Sequence, residues 1–169
     1  HFGQDTLSWS RLGAKCVGID ISEEGIKLAK QLNTELGLDA TFTCCNVLDT
    51  SKHLSDSFDI VYTSYGTIGW LPDLKPWAKM ISERLKPGGV FYIVEFHPIL
   101  WMFDHSNGES KMTYHYNRKA VIYDEYEGTY ADQSSNMLSK EYGWNHGLAE
   151  VINALLEAGL QLQYLNEYD

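Results

Sequence analysis

The chain has 169 residues, of which 44% are apolar and 21% charged, a composition typical of a globular protein with one sizeable core. Its formal charge of −10 argues against nucleic acid or an anionic membrane as the main partner. No apolar run is long enough to span a membrane. Three cysteines, two of them adjacent at Cys44 and Cys45, indicate reduced core residues rather than a disulfide framework. We therefore expect a single cytoplasmic domain over 1–169.

Helical and strand patterns alternate along the first hundred residues. Apolar residues at helical spacing predict helices over 4–12, 22–36 and 72–85, with Ser22 as an N-cap and Pro72 in a first turn. Strand formers predict strands over 15–21, 40–45, 58–63 and 90–96, the last preceded by a turn over 86–89. Strands joined by short helical connections indicate an α/β fold, in which a mostly parallel sheet is covered by helices on both faces.

The chain changes character after Pro98. Residues 98–142 are rich in Tyr, Asp, Glu and His, and contain hairpin-like strand patterns over 111–116 and 120–126. They have too few aliphatic residues for their own core, so they are predicted to be an insertion. Its aromatic residues would either form a lid over a small ligand or pack the hairpin against the sheet; they are Trp101, Phe103, Tyr114, Tyr116, Tyr123, Tyr126 and Tyr130. A helix over 148–158 and a half-buried strand over 160–165 follow.

Asp20 ends the first predicted strand and is followed at once by a helix. An acidic side chain at the carboxyl end of an early strand is where nucleotide-binding α/β folds hold a ribose. The stretch Val17-Gly18-Ile19-Asp20 therefore predicts a ribose acceptor at Asp20, with a solvated strand end as the alternative.

Four landmarks in the sequence resemble the class I S-adenosylmethionine-dependent methyltransferases, in the right order along nearly the whole chain. Residues 1–5 resemble the tail of the family's glycine-rich first loop, and 17–22 its acidic second strand. Residues 45–47 resemble the turn that contacts adenine, and 85–89 the turn before the fifth strand, here 90–96. The resemblance implies a Rossmann-like fold with the insertion after strand five, S-adenosylmethionine as cofactor, and a small molecule as methyl acceptor.

The resemblance also implies which residues bind the cofactor. Gly3 would let the backbone approach its methionine part, unless it is a plain turn glycine. Asp20 would accept both ribose hydroxyls, and Ile21 would lie on the adenine. Asn46 would contact the adenine amino edge with the Val47 amide nearby, or would be an Asx-turn residue. Ser64 stands where the family's cofactor and acceptor meet.

Candidate catalytic residues lie at predicted strand and loop ends. Methyl transfer is an in-line displacement that depends mainly on positioning, and a general base is needed only where the acceptor must lose a proton. Tyr65 follows one strand, Glu95 and His97 lie at the end of another, and His146 precedes the last helix. Each histidine would be a base or would hold a loop. The spacing of His97, Asp104 and His105 is generic, so we predict no metal.

Two other functions remain open from the sequence. A nicotinamide-dependent oxidoreductase of Rossmann type would also place an acid at Asp20, although the Pro-Gly-Gly turn and the lone Gly3 favour the methyltransferase. A catalytically silent nucleotide-binding module is the third reading. The family's first strand and its last hairpin strand have no counterpart in the sequence, so we expect segments to be missing at both ends. The sequence leaves the acceptor and the oligomeric state open.

Overall fold

The computed structural model describes residues 2–104, 110–128 and 138–168, and the chain divides along its sequence into two units, 1–58 and 59–169. Tyr130 of the predicted lid and His105 lie outside the described residues. The single domain over 1–169 stays a prediction.

The first unit pairs two parallel strands with two main helices. Its elements are α1 (Gln4–Arg11), β1 (Val17–Asp20), α2 (Glu23–Glu35), β2 (Thr41–Cys44), a 3₁₀ turn (Val47–Asp49) and α3 (Thr50–His53). Val17 lies opposite Thr41 and Asp20 opposite Cys44, so both strands end at the same edge. The predicted N-cap is confirmed, because the Ser22 hydroxyl accepts a hydrogen bond from the Gly25 amide at 3.0 Å.

Phe42 is the centre of this unit's core, which it forms with Leu7, Ile26 and Ala29. Gly3 and Gly18 face its ring: a Cβ atom would lie 2.6 Å from it at Gly3 and 2.7 Å from it at Gly18. Only glycine fits at Gly3, since its φ of 81° is also left-handed. The cysteines differ from the prediction of core residues, because only Cys45 is buried, while Cys16 is half-buried and Cys44 exposed.

The second unit contains a strand pair, two packed helices and a long antiparallel ladder. Its elements are β3 (Phe58–Thr63), a 3₁₀ turn (Ile68–Trp70), α4 (Leu74–Arg84), β4 (Leu85–Ile93), a 3₁₀ turn (Leu100–Met102), β5 (Phe103–Asp104), β6 (Lys111–Met112), β7 (Arg118–Glu127), β8 (Leu138–Asn145) and α5 (Leu148–Glu157). Lys86 contacts Asp59 and the Val94 amide donates to the Thr63 carbonyl, so β3 and β4 run in the same direction.

Helix α4 supplies the most deeply buried apolar residues of this unit, as far as the structure describes it. Trp77, Ala78 and Ile81 are fully buried, and Trp77 meets Phe91 edge-on with ring centroids 5.6 Å apart. Helix α4 begins at the cap Asp73, whose carboxylate accepts from the Lys75 amide at 2.9 Å. Pro72 therefore precedes the helix and is not in its first turn as predicted, since the Asp73 cap sets the start of the helix at Leu74.

Three predicted elements differ in the structure. The turn over 86–89 lies inside β4, because Lys86 binds Asp59 and draws the segment along β3, while Gly88 supplies a φ of 79°. Residues 111–116 do not pair with 120–126: β6 pairs with β5, and the ten-residue β7 pairs with β8. The predicted strand over 160–165 has no regular structure and no strand partner within the described part of the chain, and Leu162 and Tyr164 are exposed.

None of the helices formed by the described residues is both long and apolar enough to cross a membrane.

Candidate active site

The carboxyl edge of β1 and β2 presents a carboxylate beside an uncovered apolar side chain. The Asp20 carboxylate accepts from the Ser22 amide at 2.8 Å, which orients it at the start of the turn into α2. The Cys45 amide donates to the Asp20 carbonyl at 3.0 Å, so the turn after β2 is held to the same strand end. Ile21 remains 69% exposed. An oriented carboxylate and an exposed apolar side chain therefore stand side by side.

Asn46 caps the turn that follows β2. Its side-chain oxygen accepts from the Leu48 amide at 2.9 Å, which is the Asx-turn contact of its alternative reading. The turn is fixed further by Thr50, a buried residue whose hydroxyl donates to the Val47 carbonyl at 2.6 Å. An amide oxygen has a second lone pair, so this contact leaves room for an adenine amino group. The adenine contact of Asn46 stays a prediction.

The fold itself requires a glycine at Gly3, without any ligand. Its left-handed backbone opens α1, and its missing Cβ makes room for Phe42. Helix α1 begins there without a side-chain cap on its first amides. A close approach of a cofactor at Gly3 is compatible with this geometry and stays a prediction.

The residues of the first unit fit an adenosyl cofactor in their chemistry. A carboxylate suits the ribose diol, and the exposed Ile21 side chain suits one face of adenine. The observation that carries this fit is the uncovered isoleucine beside an oriented carboxylate at a strand end.

In the second unit, Glu95 holds the loop that follows β3. Its carboxylate accepts from the backbone amides of Gly66 at 2.5 Å, Phe96 at 2.9 Å and Ile68 at 3.2 Å. The loop also carries Ser64, whose hydroxyl lies 3.5 Å from that of Thr67. Glu95 was a candidate at the end of the predicted strand over 90–96, without an assigned role. Its sequence signal was an acid at the end of an otherwise apolar strand.

Tyr65 begins a short row of exposed aromatic rings. It is 60% exposed and tilted against Phe96, with ring centroids 5.7 Å apart. Phe96 in turn meets Trp101 edge-on at 5.7 Å, and both rings are 44% exposed. Exposed aromatic surface of this kind is typical of a ligand site.

His97 uses both ring nitrogens in contacts within the unit. Nδ1 accepts from the Ile99 amide at 3.2 Å, and Nε2 lies 2.8 Å from a Glu167 carboxylate oxygen. Nε2 therefore carries the hydrogen, and the lone pair that a base would use is held by an amide. These are the contacts of a loop-holding histidine.

His146 is buried and anchors the segment before α5. Its Nε2 lies 2.7 Å from the Leu71 carbonyl, which can only accept, so Nε2 donates. Its Nδ1 lies 3.3 Å from a Glu150 carboxylate oxygen but has no aligned hydrogen-bond partner. This geometry also favours a loop-holding role, and a base role for either histidine stays a prediction.

A cavity of about 30 Å³ brings these loops together; among the residues that line it are Gly66, Glu95, Phe96, Trp101, Trp144, Asn145 and His146. Asn145 is 1% exposed. Its amide nitrogen donates to the carbonyls of Pro98 at 3.2 Å and His115 at 3.4 Å, while its side-chain oxygen is buried without a partner. A buried oxygen without a donor is uncommon and points to a ligand or a water.

Two aromatic residues of the predicted lid, Tyr123 and Tyr126, lie on the β7–β8 ladder, and of the set only Trp101 is among the described residues lining the cavity. Tyr123 and Tyr142 pack across the ladder with ring centroids 5.1 Å apart. Hydrogen bonds to Glu125 and Glu141 raise the pKa of Tyr123 and Tyr126 to about 12. Both phenols therefore stay protonated at neutral pH. No group of three or more metal-ligating side chains lies together among the described residues.

The comparisons with known proteins first define the class. A solved S-adenosylmethionine-dependent methyltransferase of Clostridium acetobutylicum superposes with a TM-score of 0.59 at 16% identity, over 86% of this chain and 63% of that one. A protein of Pyrococcus horikoshii superposes with a TM-score of 0.62 at 19% identity, over 92% and 68%. The fold is therefore α/β and Rossmann-like.

The family follows from the sequence itself. The family model described as "Methyltransferase domain" matches residues 2–93, more than half of the chain. The chain belongs to this methyltransferase domain family. A ubiquinone biosynthesis O-methyltransferase of Idiomarina loihiensis is 30% identical over 80 residues, which are 47% of this chain. The matched region spans 32% of that relative, about a third of its length.

Proposed function

We propose that the protein transfers the methyl group of S-adenosylmethionine to a small molecule. The observation that carries the proposal is the family match over 2–93, which includes the strand end with Asp20 and Ile21. The match also includes Gly3, Asn46, Val47 and Ser64, the other predicted cofactor residues. The free cysteines support a cytoplasmic location for the reaction as part of this proposal.

The residues of the chain would divide the work by chemistry. When bound, S-adenosylmethionine supplies an electrophilic methyl group on a sulfonium. Asp20 would accept the ribose hydroxyls, Ile21 would cover adenine, and Asn46 would use its second lone pair on the adenine amino edge with the Val47 amide nearby. Gly3 would give the backbone a close approach to the methionine part.

The loop held by Glu95 would orient the acceptor. Tyr65 is 60% exposed, whereas the His97 side chain is 39% and the His146 side chain 4% exposed, so we propose that Tyr65 contacts the acceptor together with Ser64. His97 and His146 would act by holding the loops beside it, since both ring nitrogens of His97 and Nε2 of His146 are already in contacts. Residues 98–142, the predicted lid, would exclude water from the reaction.

Calorimetric titration tests the cofactor. We expect S-adenosylhomocysteine to bind and NAD not to bind. The Asp20→Ala variant should weaken the binding of S-adenosylhomocysteine by ~1.5–3 kcal/mol, the scale of a lost charge-assisted hydrogen bond. Asp39→Ala, which removes an exposed carboxylate elsewhere in the same unit, is the matched control and should leave the affinity unchanged. Binding of NAD alone would overturn the proposal, and an unchanged affinity in Asp20→Ala would show that the ribose is held elsewhere.

Turnover tests the chemistry separately from cofactor binding. Methyl transfer from labelled S-adenosylmethionine to a panel of phenols, carboxylic acids and amines should yield a labelled product, and Tyr65→Ala should lower it without changing cofactor affinity. Product binding without turnover on any acceptor would favour the silent-module reading.

A further inference from the structure

The cavity described above is unusual in what lines it. The buried Asn145 oxygen is an acceptor without a donor. Glu95 adds a carboxylate to the same wall. Both groups accept hydrogen bonds, so they suit a ligand that donates them.

The charge at the cavity is negative and lacks a counterion within the chain as described. Glu95 binds three backbone amides, and it pairs with no Lys or Arg of the described residues. Its Oε2 atom accepts one of these bonds, so a lone pair on that atom is left for a ligand. A donor that is also a cation would satisfy the orphaned oxygen and the carboxylate together.

The aromatic residues at the cavity point to the same class of ligand. Phe96, Trp101 and Trp144 line it, and the rings of Phe96 and Trp101 are also exposed. Aromatic faces attract cations, most strongly for Trp. The enclosed volume of about 30 Å³ suits one small head group, and the exposed rings would cover an apolar body outside it.

We propose that this cavity binds the ammonium group of a small amine, and that the methyl acceptor is therefore an amine-bearing molecule with an apolar body. The identification as acceptor rests on the proposed function, whereas the ammonium site does not. Asn145 and Glu95 accept its hydrogens, and Phe96 and Trp101 contact its body.

The test compares a cation with a neutral molecule of the same shape. Benzylammonium and benzyl alcohol are titrated into the full chain without cofactor, and tryptophan fluorescence and calorimetry report binding. We expect benzylammonium to bind about tenfold more tightly or better, the combined effect of one charge-assisted bond and one cation–π contact. Equal affinities, or binding of neither molecule, would overturn the proposal, and the second outcome would assign the cavity to a water. The comparison uses the wild-type chain, so it does not depend on a variant that folds.

Variants then locate the binding. Glu95→Gln and Asn145→Leu should each lower the affinity for benzylammonium about tenfold and leave the weak affinity for benzyl alcohol unchanged. Glu83→Gln removes a carboxylate of α4 that pairs with Lys79 away from the cavity, and should change neither affinity. Undiminished benzylammonium binding in both cavity variants would contradict the assignment.

A titration with S-adenosylhomocysteine on the same preparations separates the two proposals. If the amine binds and S-adenosylhomocysteine does not, the ammonium site is supported and the proposed methyltransferase function is overturned. If S-adenosylhomocysteine binds and the amine does not, the methyltransferase function is supported and the ammonium site is overturned.

Discussion

The two units hold their candidate site residues over different distances along the chain. In the first unit, Asp20 and Asn46 each bind a backbone amide two residues away. In the second unit, Glu95 binds amides 27 and 29 residues away, and His146 binds a carbonyl 75 residues away. The first arrangement makes a turn, and the second ties separate loops together. Substitutions should therefore have local effects in the first unit and distributed effects in the second.

The largest expected effect is the loss of the second unit's core. Trp77→Ala should lower the free energy of unfolding by ~3–5 kcal/mol, since it removes a fully buried indole that packs on Phe91. Urea denaturation followed by circular dichroism measures the change. Trp70→Ala, at a position 57% exposed, is the matched control and should cost less than ~1 kcal/mol. Similar losses in the two variants would contradict the assignment of Trp77 to the core.

Removing the long-range tie at Glu95 should have the next largest effect. Glu95→Ala leaves three backbone amides of two loops without their acceptor, so we expect a loss of ~1.5–3 kcal/mol in unfolding free energy. Hydrogen exchange should accelerate at Gly66 and Ile68, far from the substitution in the sequence. Faster exchange at Phe96 alone would show that Glu95 acts locally, and the contrast between the units would fail.

Removing the local tie at Asn46 should cost less. Asn46→Ala should lower the unfolding free energy by ~1 kcal/mol, the usual cost of a lost cap. Asn46→Asp should retain most of the stabilisation, because aspartate also accepts the capping hydrogen bond. Faster hydrogen exchange should stay within 46–50. An effect as large as that of Glu95→Ala would mean that this turn supports more of the first unit than its contacts indicate.

The smallest effect should come from the exposed pair of Lys86 and Asp59. The hydrogen bond and charge of Lys86 hold the pKa of Asp59 below its ordinary value of 3.8. Because the pKa of Asp59 is lowered in the folded state, the pair stabilises the fold at any pH above the ordinary pKa. This stabilisation is lost as the pH falls through the lowered pKa. The stability difference between wild type and Asp59→Asn should therefore be constant near neutral pH and shrink below about pH 4. A difference that grows on acidification would contradict the sign.

Local sequence patterns were sufficient for much of the fold. Ser22 caps α2 as predicted, and β3 has the bounds predicted for it. The predicted turn at 86–89 and the strand at 160–165 were wrong because pairing decides both. Lys86 forms an ion pair with Asp59, which places 86–89 in a strand. Residues 160–165 have no strand partner among the described residues.

The sequence by itself determined the α/β pattern, the family, and the acid at the end of β1. These depend on periodicity, caps and turns, whose parts lie within a few residues of one another. Tertiary structure decided that Glu95 binds Gly66 and Ile68, and that the Asn145 oxygen is left without a donor beside the same cavity. Hydrogen bonds between residues tens of positions apart leave no periodic trace in a single sequence. Only the folded chain brings their donors and acceptors within bonding distance.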